Sequence, residues 1–273
     1  MIQESPGVGP DLQGAADAVA ARGGELGRLI HVVSRATSTN DLAKQAAREG
    51  APHGSTWVAE EQSDGRGRQG RRWTAVPGES LLFSILLRIE SEARHLPPIS
   101  VLAGLAVTEA IGRYTRESHP VLKWPNDVVI GERKVAGVLV EASGSGPRAH
   151  VVVVGIGINV YTRVFPPELA SIATSIALEG GRVPKRADLL ADVLERFDRD
   201  LPLVANRGLG VVAARLLAFD GLRGRSVRST EGDEGVAAGI DESGCLHVRR
   251  VDGTVARWAA GEVHLVRGAN AAS

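Results

Sequence analysis

The run HVVVVGIGINV, His150 to Val160, constrains the fold of this chain more than any other stretch. Its β-branched residues are almost uninterrupted by polar groups, the pattern of a strand covered on both faces and so central in a sheet. Gly155 and Gly157 break the apolar run, and a glycine inside a strand marks close approach of backbone or ligand. The carboxyl end of a strand, where Asn159 stands, is a common place for ligand groups. Packing explains the valines but not Asn159.

Other elements follow from the same patterns. His31-Val32-Val33, Thr56 to Glu60 and the mostly apolar SLLFSILLRI, Ser80 to Ile89, read as strands, the last buried on at least one face. Pro97-Pro98 opens an amphipathic helix expected over 98–116, with Val101, Leu105, Thr108 and Ile111 along one side. In VLKWPNDVVIGERKVAGVLV, Trp124-Pro125-Asn126-Asp127 breaks one strand and Gly131-Glu132-Arg133 turns the next pair into a hairpin. Lys185 to Asp188 lead into a helix ending near 200, and a shorter helix covers 210–218. From Gly221 the texture becomes short alternating pieces between Gly, Asp and Ser turns, which predicts a small β-barrel of roughly 45 residues. Residues 1–28, rich in Ala and Gly, read as a loose arm or one short packing helix, too little for a DNA-binding helix-turn-helix with its own core.

Chemistry concentrates in Gly65-Arg66-Gly67-Arg68-Gln69-Gly70-Arg71-Arg72-Trp73. Its glycines permit positive φ and close approach to a ligand. Its four arginines match phosphate and carboxylate geometry, and its tryptophan offers a stacking surface. Residues 65–70 satisfy G-x-G-x-x-G, with Glu90 twenty residues on, but a dinucleotide fingerprint must open a helix. Pro77 and Gly78 follow instead, so that reading fails. The loop is better read as a lid for a nucleotide or an acyl phosphate. Ser38-Thr39-Asn40 begins a helix expected over 39–49, with Ser38 and Asp41 resembling a capping box and Gly50 at the C-terminal cap. Capping is the first reading of these groups; holding a small polar ligand is the second. Lys123 and Lys134 abut apolar strand segments, where a lysine either snorkels or meets a buried anion.

Composition narrows the classes. Lys+Arg and Asp+Glu both number 32, so the arginine cluster is local and a general nucleic-acid binder is disfavoured. A single cysteine, Cys245, excludes an intramolecular disulfide and a cysteine metal cluster, and fits a reducing cytosol. There is no signal-peptide pattern and no apolar run near the roughly 20 residues that span a bilayer, so the expectation is a cytoplasmic protein with no membrane partner.

Five motifs in order carry a resemblance to biotin–protein ligases: Ser38-Thr39-Asn40, Gly65-Arg66-Gly67-Arg68 with Trp73, Lys123-Trp124-Pro125-Asn126-Asp127, Lys134-Val135-Ala136-Gly137, and Gly155-Ile156-Gly157-Ile158-Asn159. The resemblance covers about 30–268. It implies an α+β chain: an N-terminal arm (1–28), a class II synthetase-like biotin-ligase catalytic domain with a mixed sheet (29–219), and a C-terminal SH3-like β-barrel (220–268). It also implies an ATP-dependent, Mg²⁺-requiring adenylation of biotin, then transfer to one lysine of a biotin carboxyl carrier protein domain of an acyl-CoA or pyruvate carboxylase. By family position, Ser38, Thr39, Asn40, Gln62, Arg66, Gly67, Arg68 and Lys134 surround biotin. Lys123, Lys134, Arg66 and Arg68 are catalytic. Trp73, Asn126, Asp127 and Asn159 meet the nucleotide; Trp73 covers the adenine, Asn159 also meets Mg²⁺, and Asp127 helps orient or deprotonate the acceptor lysine. Arg267 is a further possible nucleotide contact from the C-terminal module. Gln69 and Arg72 depart from residues common in the family, leaving the chemistry intact. Family members that double as repressors carry a winged helix-turn-helix before the Ser-Thr-Asn motif. With that motif at residue 38, the expectation is no repressor function, no nucleic acid partner, and a monomer or weak homodimer. A lipoate-type ligase and a nucleic-acid-binding module are the alternatives.

Overall fold

In the computed structural model the described residues are 7–89, 91–92, 96–115, 117–143, 148–149 and 151–266. Its first part runs α1 (Ala15–Ala20), β1 (Ile30–Ala36), α2 (Thr39–Arg48), β2 (Thr56–Gln62), β3 (Ser80–Leu87), β4 (Ser91–Glu92) and α3 (Leu96–Gly112). Then come β5 (Pro120–Lys123), β6 (Asp127–Ile130), β7 (Arg133–Ser143), β8 (Arg148–Ala149), β9 (Val151–Asn159), α4 (Arg186–Arg207) and α5 (Ala213–Phe219). Seven strands form one sheet in the order β1-β2-β3-β9-β7-β6-β5. Only β1 and β2 pair in parallel, so the sheet is mixed, as expected.

The strand from 150 is central, as its composition requires; β9 lies between β3 and β7, and His150 itself falls outside the described residues. Side chains alternate across a strand, and here the two faces differ in kind. Leu81, Phe83, Ile85 and Leu87 of β3, with Val152, Val154, Ile156 and Ile158 of β9, enter the main core with α3 and α4. Each such fully buried side chain contributes about 1.5–3 kcal/mol. On the opposite face Leu86, Val153 and the partly buried Val151, beside Trp57 of β2, pack against Ala43 and Ala47 of α2. Leu82 apart, the rest of that face is small or polar: Ser80, Ser84, Gly155, Gly157 and Asn159. That face is where a ligand fits.

Two helices differ from the sequence expectation. Helix α3 is not amphipathic, because residues from Pro98 to Ile111 are buried almost all the way round between sheet and α4. Helix α4 continues past 200 to Arg207 with Pro202 inside it. A mid-helix proline costs about 3 kcal/mol, and the buried Leu201 and Val204 on either side offset it. The N-terminal region adopts the packing-helix alternative: Leu12, Ala15 and Val19 are buried in the main core with residues of α4.

That packing is fixed by charge. Arg186, 1% exposed, donates to Asp11 at 2.7 Å and to Glu60 at 2.6 Å. Burial alone would lower its pKa, but these two carboxylates hold it above the ordinary arginine value. Tyr161 adds a hydrogen bond to Asp11 at 2.8 Å.

The last five strands, β10 (Ser226–Ser229), β11 (Glu234–Ile240), β12 (Leu246–Arg249), β13 (Val255–Trp258) and β14 (Val263–Leu265), form an antiparallel sheet ordered β13-β12-β11-β10-β14. Val227, Ala237, Leu246, Val248 and Val263 are its buried side chains, giving the small barrel-like module expected. It is tied to the main sheet by the Trp124 indole, which follows β5 and donates to the Gly244 carbonyl at 2.8 Å. Arg267 lies outside the described residues.

Candidate active site

The small-residue face of the sheet floors one cavity of about 250 Å³. Its first end is built at the start of α2. Ser38 is the N-cap, but its side chain makes no capping hydrogen bond, which corrects the capping-box reading. Gln62 of β2 caps the helix instead, its Oε1 accepting the Thr39 N–H at 2.7 Å. The Ser38 hydroxyl is therefore not spent on the helix and lines the cavity. Thr39 Oγ1 lies 2.7 Å from Ser84 Oγ, and Ser84 donates to Asn40 Oδ1 at 2.5 Å. Asn40 sits against Gly155, where a Cβ would come within 2.2 Å of Asn40 Oδ1. Gly155 is required for the amide to fit.

The arginine loop closes over this floor as a small hairpin. Trp73 N–H donates to the Gly65 carbonyl at 2.9 Å and Gly67 N–H to the Arg71 carbonyl at 2.7 Å. The positive φ sits at Gln69 (55°) and Gly70 (73°), not at Gly65 or Gly67. Gly65 is needed for space: a Cβ there would meet the Trp73 carbonyl at 2.5 Å. No helix follows the glycines, only a single turn at Arg68–Gly70, as the rejection of a dinucleotide fingerprint requires. The Trp73 ring reaches the floor midway along the cavity, where a Cβ on Gly157 would meet it at 2.7 Å and one on Gly137 at 3.2 Å. Lys134 Nζ lies 5.6 Å from the ring centroid, a cation–π distance. Arg66 pairs with Asp41 and, at 3.4 Å, with Glu141.

The second end is charged. Lys134 Nζ meets Asp127 Oδ1 at 2.6 Å. Arg68 donates to Asn126 Oδ1 and to the Gly261 carbonyl, both at 3.2 Å, and Arg71 pairs with Glu262. Burial depresses the Arg68 pKa, with Asp127 opposing and Arg71 adding to it. Asn159 commits its Nδ2 to the Thr174 carbonyl at 3.0 Å, leaving its Oδ1 as the group to offer. The segment Phe165 to Ala173 forms one wall, hydrogen-bonded to the Lys134 backbone through Ile172 and Thr174.

Ser38, Thr39, Asn40, Gln62, Arg66, Gly67, Arg68, Trp73, Asn126, Asp127, Lys134 and Asn159 thus all line one cavity. Lys123 does not. It stands opposite Asp127 in the β5–β6 register, and burial lowers its pKa, reinforced by Lys134, Arg225 and Arg71 against Asp127. Ser84, Glu141 and the Phe165–Ala173 wall carry no local motif. The period-2 alternation of β3 was the one signal that aims Ser84 to the same face as Ser80.

Residues 32–159 match the Biotin/lipoate A/B protein ligase family. The biotin–[acetyl-CoA-carboxylase] ligase of Paracoccus denitrificans is 33% identical over 238 residues, covering 80% of this chain and 93% of that protein. The enzyme of the same name from Mycobacterium tuberculosis is 30% identical over 245 residues, 87% of this chain and 90% of that one. Among solved structures, the Aquifex aeolicus biotin protein ligase in complex with biotin and ATP superposes with a TM-score of 0.76 at 29% identity, covering 88% of this chain and all of that one. With five ordered motifs meeting in one cavity, the chain belongs to the biotin–protein ligase family.

Proposed function

We propose that this protein activates biotin with ATP and transfers it to a lysine of a carboxylase's carrier domain. The observation that carries the reading is the cavity itself, neutral and hydroxyl-lined at one end and arginine- and lysine-lined at the other. Biotin's cyclic urea needs small donors and acceptors, while its carboxylate must meet the triphosphate of ATP. One oxygen of the carboxylate attacks the α-phosphorus and pyrophosphate leaves, giving biotinoyl-5′-AMP. The acceptor lysine's amine then attacks the acyl carbon; the acyl–phosphate bond breaks, AMP leaves and the amine gives up a proton.

The first step brings two anions together, so pre-placed positive charge offsets both their repulsion and the charge developing in the transition state. Arg66, Arg68 and Lys134 supply it, with Lys123 adding longer-range charge. Asp127 holds the Lys134 ammonium in place at 2.6 Å and, once phosphate takes that ammonium, is free to orient the acceptor amine. Trp73, whose ring rests beside Gly157 and Gly137 on the floor, would cover the adenine. Mg²⁺ would screen the phosphate charge. Asn159, whose Nδ2 is committed to the Thr174 carbonyl, would offer its Oδ1 to that ion. The C-terminal module supports the loop through Gly261 and Glu262.

Incubation with ATP, Mg²⁺, biotin and an apo carrier domain tests the reading by mass spectrometry. A biotin-sized gain on one carrier lysine is expected; no gain with biotin, or a gain only with lipoate, removes it.

A further inference from the structure

The wall at the charged end of the cavity is built into the sheet itself. Strands β7 and β9 stop pairing at Ala136 and Ile158, and beyond that point residues 172–177 are interposed between them. On the β7 side the Lys134 N–H donates to the Ile172 carbonyl at 2.8 Å, and the Thr174 N–H donates to the Lys134 carbonyl at 2.9 Å. On the β9 side the Ile176 and Ala177 N–H groups donate to the Asn159 and Val160 carbonyls at 3.1 and 2.9 Å. Thr174 joins the two sides, because its carbonyl also takes the Asn159 amide at 3.0 Å. A carbonyl only accepts, so Asn159 turns its NH₂ toward Thr174 and keeps its Oδ1 for the cavity. The fully buried Thr174 donates its hydroxyl proton to Glu179 Oε1 at 2.5 Å, and the same oxygen accepts from Arg133 at 2.7 Å. One carboxylate thus ties this wedge to the first residue of β7, the neighbour of Lys134.

We propose that Glu179 and Thr174 are positioning residues for the charged end of the cavity. They set the separation between the Lys134 ammonium and the Asn159 oxygen, and so where the phosphates of ATP come to rest. Neither residue lines the cavity. The inference rests on the ATP reading above. Hydrogen bonds to a carboxylate are about twice as strong as neutral ones, so Glu179 holds the wedge more firmly than its backbone bonds alone. Without that carboxylate the Thr174 hydroxyl is buried with no partner, a costly state. The segment must shift to relieve it, and Lys134 and Asn159 move with the segment. A misplacement of about 1 Å at a reacting site costs up to about a hundredfold in rate.

The test separates the two ends of the cavity. Titration calorimetry on the whole chain measures biotin and, in a second experiment, α,β-methylene-ATP, whose bridging carbon keeps pyrophosphate from leaving. Glu179→Ala should weaken the nucleotide analogue about tenfold and slow biotinoyl-5′-AMP formation at saturating ATP by at least as much. Its biotin affinity should stay within about twofold of wild type. Thr174→Val keeps the side chain's shape but loses the hydroxyl, and should weaken the analogue several-fold. Thr174→Ser keeps the hydroxyl and should bind the analogue as wild type does. Ser118→Ala removes a bond to the Glu179 backbone carbonyl but leaves the carboxylate in place, so it too should match wild type. If Glu179→Ala does not fold, the Thr174 pair decides. Unchanged analogue affinity in Glu179→Ala or in Thr174→Val overturns the proposal. So does a parallel loss of biotin and analogue binding, or a Thr174→Ser protein as weak as Thr174→Val. Wild-type protein that binds neither ligand removes the functional reading, and this inference with it.

Discussion

At the scale of single residues, Lys134 and Gly157 test the site from opposite directions. Lys134 lines the charged end of the cavity, where the proposed reaction takes place, so Lys134→Ala should cut biotinoyl-5′-AMP formation by about a hundredfold or more while the melting temperature stays close to wild type. Near-normal adenylate formation in a pyrophosphate-release assay would remove it from the chemistry. Gly157→Ala adds one methyl where the Trp73 ring now rests, at a built distance of 2.7 Å. The ring must leave the floor, and biotin affinity should fall with little change in stability; an unaltered Kd would mean that Trp73 does not pack on bound ligand. Residues of this kind were legible because motif and chemistry coincide: arginines between glycines, lysines beside apolar strands. Ser84 and Glu141 were not, because their partner Asn40 lies 44 and 101 positions away in the chain. No local pattern announces a hydrogen bond at such separation.

At the scale of elements, the loop from Gly65 to Trp73 is clamped from both sides. Arg66 binds residues of α2 and β7, whereas Arg68 and Arg71 reach the turn before β14. Opening the loop requires the second set of contacts to break. Arg68→Ala should release biotinoyl-5′-AMP several-fold faster than wild type in a filter or trap assay, and Glu262→Ala should do so to a smaller extent. Unchanged release in both would mean the loop is not the lid. The sequence reading located this loop and allowed positive φ at its three glycines; only Gly70 adopts it, beside Gln69, since glycine can mark crowding as well as a left-handed turn. It likewise stopped α4 at 200. Pro202 is a breaker by propensity, but tertiary packing of Leu201 and Val204 overrides propensity.

For the whole molecule, the Arg186 network joins the N-terminal region, β2 and α4 into one body. Arg186→Met would leave Glu60 and Asp11 without their cation and should cost about 3–5 kcal/mol in urea unfolding; a cost below 1 kcal/mol would show the pairing to be incidental. Acid should have a related effect. Burial tends to raise the pKa of Asp11, but hydrogen bonds from Arg186 and Tyr161 outweigh it and leave it lowered. Burial likewise works against Glu141 and Asp200, while Lys44 and Asn40 on the first, and Arg199 and Arg215 on the second, lower them overall. Carboxylates with depressed folded values contribute stability that is fully present above about pH 4 and lost as pH falls through those values. Urea midpoints should therefore be flat from neutral pH to about 5 and fall steadily below 4; a midpoint that rises in acid contradicts this. The overall architecture, a mixed sheet followed by a small β module, was readable from apolar runs and turn spacing. Arg186 was not, because a sequence shows an arginine at a helix start and gives no sign that it is 1% exposed.

The unlike faces of β3 and β9 have a consequence for anyone wishing to retarget this enzyme to another acid. Along both strands, neighbouring letters of the sequence belong to different alphabets. Positions 84, 155, 157 and 159 stand on the cavity side of the sheet, whereas 83, 85, 152 and 154 fill the core that holds the scaffold together. A library restricted to the first set explores new substrates on an intact frame, and one restricted to the second hardens the frame without touching selectivity. Deleting a single residue between them would exchange the two alphabets, setting valines in the cavity and an asparagine in the core.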